Sequence, residues 1–202
     1  LLSFRELSSY NFEKNKLMAK QILFLSFTSF LLMGCYSVKK SVETAQPYSS
    51  QIKWPDDYQP ADADFYIHNS IHINADPEVV WELLIKAEDW PNWYVGMNEV
   101  EISKSREIEA NSKLKFSTMG QRFEGSIREF EPFSRLAWET QNKNLGAYHA
   151  WLLIPNENGC LLITDEVQKG KLAKLQKVFL PNKLKNLHDT WLGEFKSKSE
   201  KK

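Results

Sequence analysis

Few residues of this 202-residue chain have the type and spacing to do chemistry, and the best placed are His149, Thr164 and Glu166. A histidine beside a carboxylate can orient a polar group or act as proton donor or base. The segments that carry them flank Asn156-Glu157-Asn158-Gly159. A four-residue loop there pairs Pro155 with Cys160, and so Trp151 with Thr164 and His149 with Glu166. A two-residue Asn158-Gly159 turn would instead pair Trp151 with Glu166. Both registers put His149, Trp151, Thr164 and Glu166 on one face, because a shift of two residues preserves facing. Opposed directly, His149 and Glu166 would have Cβ atoms about 5 Å apart. A buried carboxylate is costly unless paired, so mutual satisfaction competes with ligand contact or catalysis as their role.

Other chemistry is sparse. His68 and His72 lie four apart on a strand, about 13 Å from each other. They cannot share a metal and read as surface residues. Cys160 begins a strand and reads as a small packed thiol. His188, four residues after Leu184 on the last helix, could face a cavity or its rim, or be a boundary residue. No glycine-rich phosphate loop, nucleophile elbow or paired-cysteine metal motif is present, so neither metal nor cofactor is expected.

Composition narrows the function. With 26 basic and 26 acidic residues the formal net charge is zero, which argues against a nucleic-acid binder. Two cysteines, Cys35 and Cys160, suggest no disulfide framework. Aromatic residues make up 13% of the chain, with seven tryptophans, which points to a wide core or a lined cavity.

The elements that would position these residues are legible from Phe65 onward. Ile67, Ile71 and Ile73 alternate with His68, Ser70 and His72 as a strand. Asp76 and Pro77 read as N-cap and first position of a helix whose apolar face is Val80, Leu83, Leu84 and Ala87. A second short helical turn starts at Asp89 and is limited by Pro91. Alternation then marks six further strands, around residues 100–102, 114–118, 123–127, 136–138, 149–153 and 162–166, with hairpin-like gaps. Leu172, Leu175 and Phe179, then Leu184, Leu187, Trp191 and Phe195, keep helical spacing on either side of Pro181. That predicts a long C-terminal helix kinked or broken at the proline, with a charged tail from 198 to 202 that frays.

The N-terminal third reads differently. Lys14, Lys16 and Lys20 precede the apolar run Ile22 to Leu32, which is too short to span a membrane but suits a signal-peptide core. Leu32-Met33-Gly34-Cys35 resembles the lipobox of bacterial lipoproteins. The resemblance implies cleavage before Cys35, lipidation of Cys35 and attachment to a bacterial membrane in the cell envelope. Met18 could be the true start, with residues 1–17 upstream of it. Residues 35–64, with Pro47, Pro55 and Pro60, read as a tether in which Trp54 and Tyr58 could form a strap.

From Ile71 to Tyr94 the order of strand, Pro77-Glu78-Val79-Val80-Trp81 helix and Trp90-Pro91-Asn92-Trp93 turn resembles the START-like (SRPBCC) superfamily, nearest its polyketide cyclase/dehydrase-like branch. Gly125-Ser126-Ile127, Arg135-Leu136-Ala137-Trp138, His149-Ala150-Trp151, and Glu166 followed by Gly170 extend the resemblance to about Lys196. It implies an α+β helix-grip fold over residues 65–197: a seven-stranded curved antiparallel sheet around a long C-terminal helix, with two short helices after the first strand. It also implies a ligand cavity between sheet and helix. The inward set would include Phe116, Phe123, Ile127, Trp138, Trp151, Leu175, Phe179 and Trp191, with His149, Thr164 and Glu166 among the polar groups and Trp93 and Tyr94 at the mouth. The functions implied are an anchored carrier or sensor of a small hydrophobic molecule, an aromatase/cyclase-like enzyme with His149 and Glu166 as candidate catalytic residues, or an interaction protein with a closed core.

Overall fold

The computed structural model describes residues 50–201, together with Tyr48 and four isolated positions between 15 and 20. The apolar run from 22 to 32 expected to be a signal-peptide core, Cys35 and most of the first part of the expected tether lie outside the described residues.

Strand β1 (Phe65–Ile73) leads into helix α1 (Pro77–Ile85) and a 3₁₀ helix over Ala87–Asn92. Pro77 sits in the first turn, where its missing N–H costs nothing. Asp76 stands at the N-cap, but its side chain makes no capping bond. Burial of Val80, Trp81 and Leu84 therefore holds this nine-residue helix, as expected for one too short to be stable alone. Then come β2 (Glu99–Ile102), β3 (Lys113–Thr118), β4 (Gln121–Glu131), β5 (Arg135–Gln141), β6 (Gly146–Asn156) and β7 (Gly159–Lys169). The chain closes with α2 (Lys171–Phe179) and α3 (Lys183–Ser199). Pro181 separates these two helices, as its absent donor requires.

All seven strands form one antiparallel sheet in the order β1-β7-β6-β5-β4-β3-β2. The first two strands thus lie at opposite edges, and α1 with the 3₁₀ helix carries the chain between them. Within β4 the register shifts between Ile127 and Glu129, a bulge of the kind that bends a strand. The concave face is gripped by α3, which buries Leu184, His188, Trp191, Leu192 and Phe195. This is the α+β helix-grip architecture of the START-like proteins.

Three expectations need correction. First, residues 51–58 are not free tether but form the strap that the sequence left open. Ile52 and Tyr58 are buried, and Trp54 packs edge-on to Tyr66 and tilted against Tyr148 on the convex face of the sheet. Arg135 donates to the carbonyl of Gln51 at 2.8 Å, fixing this strap further. Second, the C-terminal tail does not fray at 198. Helix α3 runs to Ser199, which is buried, and the Glu200 carboxylate accepts the Asn74 N–H at 2.8 Å. Third, His68 is not a surface residue. It lies buried on the convex face, Nδ1 2.6 Å from Asp165. His72 is exposed, as expected.

Candidate functional site

The hairpin between β6 and β7 sets the register of the site. Asn156 pairs with Gly159 across a two-residue Glu157-Asn158 turn, and counting back pairs Trp151 with Thr164 and His149 with Glu166. The Asn158-Gly159 alternative does not form, because Gly159 is itself a paired residue.

The carboxylate of Glu166 is the centre of a buried polar cluster. His149 Nδ1 lies 3.2 Å from Glu166 Oε2, His188 Nε2 from α3 lies 3.3 Å from the same oxygen, and Gln168 Nε2 donates to Oε1 at 2.6 Å. His149 Nε2 lies 2.6 Å from Thr164 Oγ1. Burial drives the His149 pKa down to about 3, against the raising influence of Glu166, so the imidazole is neutral. A neutral ring has one N–H, and a carboxylate can only accept. The proton therefore sits on Nδ1 toward Glu166, and Nε2 accepts from the Thr164 hydroxyl. Burial raises the Glu166 pKa, but the hydrogen bond from His188 and the neighbouring imidazoles outweigh it, and the net direction is down. A neutral histidine beside an ionised carboxylate is the resulting state.

Above this cluster lies a cavity of about 450 Å³. Its buried end is formed by Trp138, His149, Glu166, His188 and Trp191, and its walls by Phe116, Phe123, Met97, Leu145 and Leu184. Tyr94 stacks on Trp191 at 4.4 Å with planes 5° apart. Gly96 permits this, since a Cβ there would stand 2.2 Å from the Tyr94 ring. Gly170, at φ 117°, turns β7 into α2 beside the opening; a Cβ there would meet the Asn144 carbonyl at 2.5 Å. Helix α2 then carries Leu172, Leu175, Gln176 and Phe179 to the rim.

Of the residues expected at the site, Tyr94, Phe116, Phe123, Trp138, His149, Glu166, Leu175, Phe179 and Trp191 line the cavity. Leu175 and Phe179 do so from the exposed rim rather than the interior, because α2 ends at the opening. Three others do not line it. Trp151 lies under the floor, stacked on His149 at 5.3 Å and edge-on to Trp191 at 4.9 Å. Thr164 is fully buried and reaches the site only through His149. Trp93 turns away to pack on Phe195, with the Lys198 ammonium 5.5 Å from its ring centre. Ile127 is buried but not in the lining either. His188, for which cavity, rim and boundary were all open, is buried in the cluster, and Gln168 and Gln176 also line the cavity. Its place facing Glu166 depends on how α3 crosses the sheet, which helical spacing alone does not state.

Among the described residues, His149, Glu166 and His188 form one grouping whose ligating atoms all lie within 4.8 Å of one another. Two imidazoles and a carboxylate could hold a divalent metal, although here each is already engaged in the hydrogen-bonded cluster. The arrangement can hydrogen-bond a polar group at the deep end of an otherwise apolar chamber, or pass a proton there.

Residues 65–200 match the family profile described as polyketide cyclase / dehydrase and lipid transport. The chain belongs to this family. Among solved structures it resembles a hypothetical protein of Helicobacter pylori at 28% identity and TM-score 0.69, over 73% of this chain and 95% of that one. The di-domain ARO/CYC StfQ from the steffimycin biosynthetic pathway aligns at 13% identity and TM-score 0.58, over 67% of this chain and 51% of StfQ. A START superfamily protein from Mycobacterium smegmatis aligns at 15% identity and TM-score 0.52, over 65% and 97%. The last two likenesses concern the fold alone. No curated protein matches the sequence.

Proposed function

We propose that this protein is a lipid-anchored binding protein of the bacterial cell envelope that carries or senses a small, largely apolar molecule. The observation that carries the reading is the cavity: about 450 Å³, walled by aromatic and aliphatic side chains, with polar groups gathered at its deep end. That size and lining suit a small-molecule site. The ligand would lie between Phe116, Phe123 and Trp138, with its polar end toward Glu166 and His188. Anchoring through Cys35 rests on the lipobox-like Leu32-Met33-Gly34-Cys35, and several acyl chains would hold the protein stably where one would not.

A second reading, an aromatase/cyclase-like enzyme, is favoured by one observation. A neutral His149 hydrogen-bonded to an ionised Glu166 stands in the cavity wall, where it could serve as base or proton donor. The first reading stands ahead because the rest of the polar lining is hydroxyl and amide groups with Lys183 at the rim, and among the described residues none of these is a nucleophile held by a base.

A panel of fatty acids, sterols and aromatic polyketides tests both. A binder should shift tryptophan emission from Trp138 and Trp191 and raise the melting temperature, since it stabilises only the folded state. Turnover of a polyketide, abolished in Glu166→Gln, would favour the enzyme. No shift across the panel, with no molecule retained in native mass spectra of protein from its own cells, would sink the binding reading. Cys35→Ser should leave the precursor uncut or the protein unlipidated; unchanged fractionation and gel mobility would remove the anchor.

A further inference from the structure

The corner where α2 meets α3 carries a surface that holding a ligand does not require. Between residues 50 and 201 five large hydrophobic side chains are exposed. Three of these, Leu175 at 53%, Phe179 at 56% and Leu180 at 47%, fall within six residues on the cavity rim. A shallow apolar groove continues from Phe179 and Leu180 past Pro181 to Leu187. Charge is equally lopsided. Residues 169–188 include six lysines and no Asp or Glu, in a chain of zero formal net charge. Lys174 pairs with Asp64 at 3.6 Å and Lys185 with Asp189 at 2.6 Å. Lys171, Lys177 and Lys183 have no ion-pair partner among the described residues.

The break at Pro181 produces this surface. A continuous helix would fold both halves along the sheet; the interruption leaves the end of α2 projecting at the opening, apolar at its tip and basic around it. We propose that this corner docks on an anionic lipid surface, with Phe179 and Leu180 entering the boundary between headgroups and acyl chains and Lys171, Lys177 and Lys183 against lipid phosphates. Lipid fits better than a protein partner. Three apolar side chains fall well short of the roughly 800 Å² per side of a stable protein interface. Interfacial docking needs only a short apolar edge flanked by basic residues. In this pose the cavity opens onto the bilayer, and an apolar ligand passes between lipid and protein without crossing water. The docking itself stands on the patch; ligand exchange through it rests on the cavity reading above.

The test uses residues 35–202 carrying Cys35→Ser, so that neither acylation nor the apolar run from Ile22 to Leu32 can supply the attachment. Flotation with phosphatidylcholine vesicles is compared with flotation after phosphatidylglycerol is added. The expected result is binding to the anionic vesicles only, weakened by salt. The double variant Phe179→Gln/Leu180→Gln and the triple variant Lys171→Glu/Lys177→Glu/Lys183→Glu should each cut that binding about tenfold or more. All five positions are at the rim or surface, and circular dichroism confirms that the variants are folded. Variants that float like the parent overturn the proposal, as does a parent that ignores anionic lipid. Concentration-dependent dimerisation removed by Phe179→Gln/Leu180→Gln would assign the patch to a second copy instead. Tryptophan emission with soluble ligand and no vesicles reports the cavity separately, so failed docking and a failed cavity are told apart.

Discussion

Asp165 and Glu166 are neighbours on one strand, both buried, and each meets a histidine, yet they belong to different kinds of region. Asp165 points to the convex face. There His68 Nδ1 lies 2.6 Å from one oxygen, and the Tyr66 hydroxyl donates to the other at 2.7 Å. Tyr48 stacks over His68 with planes 8° apart, and the strap from Ile52 to Tyr58 fills the surrounding face. Glu166 points to the concave face. It too is fully engaged, but around the cavity His188 Nδ1, Gln168 Oε1, Gln176 Nε2 and Trp191 Nε1 are buried with no hydrogen-bond partner among the described residues. A closed pair under a strap has a structural role. A satisfied carboxylate ringed by unsatisfied neighbours beside an open chamber leaves polar capacity for a ligand.

The comparison breaks most visibly at Asp165. Asp165→Ala strands two buried donors and should cost about 3–5 kcal/mol, read by urea unfolding, with ligand response per folded molecule intact. A cost below about 1 kcal/mol would mean that the convex pair is not structural. The strap comes next. Tyr58→Ala removes a largely buried ring and should cost about 2–3 kcal/mol. Trypsin should then cut at Lys53 sooner; unchanged proteolysis would show that the strap does not depend on this ring.

Acid should act on the concave cluster. The His149 pKa is lower folded than unfolded, so the unfolded chain binds more protons below pH 6.5 and stability falls as pH drops toward 3. The loss should reach about 2 kcal/mol by pH 5. Glu166, also lowered, adds loss in the same direction at more acid pH. His149→Gln should flatten the curve between pH 7 and pH 5, and an unchanged curve would place the acid sensitivity elsewhere. The smallest effect on stability should come from Glu166→Gln, which keeps shape and the possibility of hydrogen bonds, within about 1–2 kcal/mol. Ligand affinity should fall about tenfold, and a retained affinity would make the concave cluster as purely structural as the convex one.

Much of this was legible in the chain. Period-two alternation gave each strand, Pro181 gave the break between α2 and α3, and the Trp-rich turn after α1 gave the family. The facing of His149, Trp151, Thr164 and Glu166 followed from parity, which survives a two-residue error in register. The strap left a signal that alternation obscured. On β6 and β7, Tyr148, Ala150, Leu152, Ile163 and Val167 make the second face apolar as well, and an antiparallel sheet apolar on both faces has both covered. Read that way, Trp54 and Tyr58 have an obvious destination.

Local spacing determines which residues share a face, because strand and helix geometry repeat every few residues. It cannot determine what stands opposite that face, because that depends on how separate elements cross. The sequence by itself therefore fixed the pairing of His149 with Glu166 to two registers, the helix break, and the aromatic supply. Only the tertiary structure decided that α3 brings His188 onto the same carboxylate and that Trp151 lies beneath the floor instead of in the chamber. It also decided that Asp165, one residue from Glu166, is sealed on the far side of the sheet with His68. Neighbours on a strand face opposite ways, and what covers each side is supplied by chain more than a hundred residues away for Tyr48 and by a helix some twenty residues onward for His188.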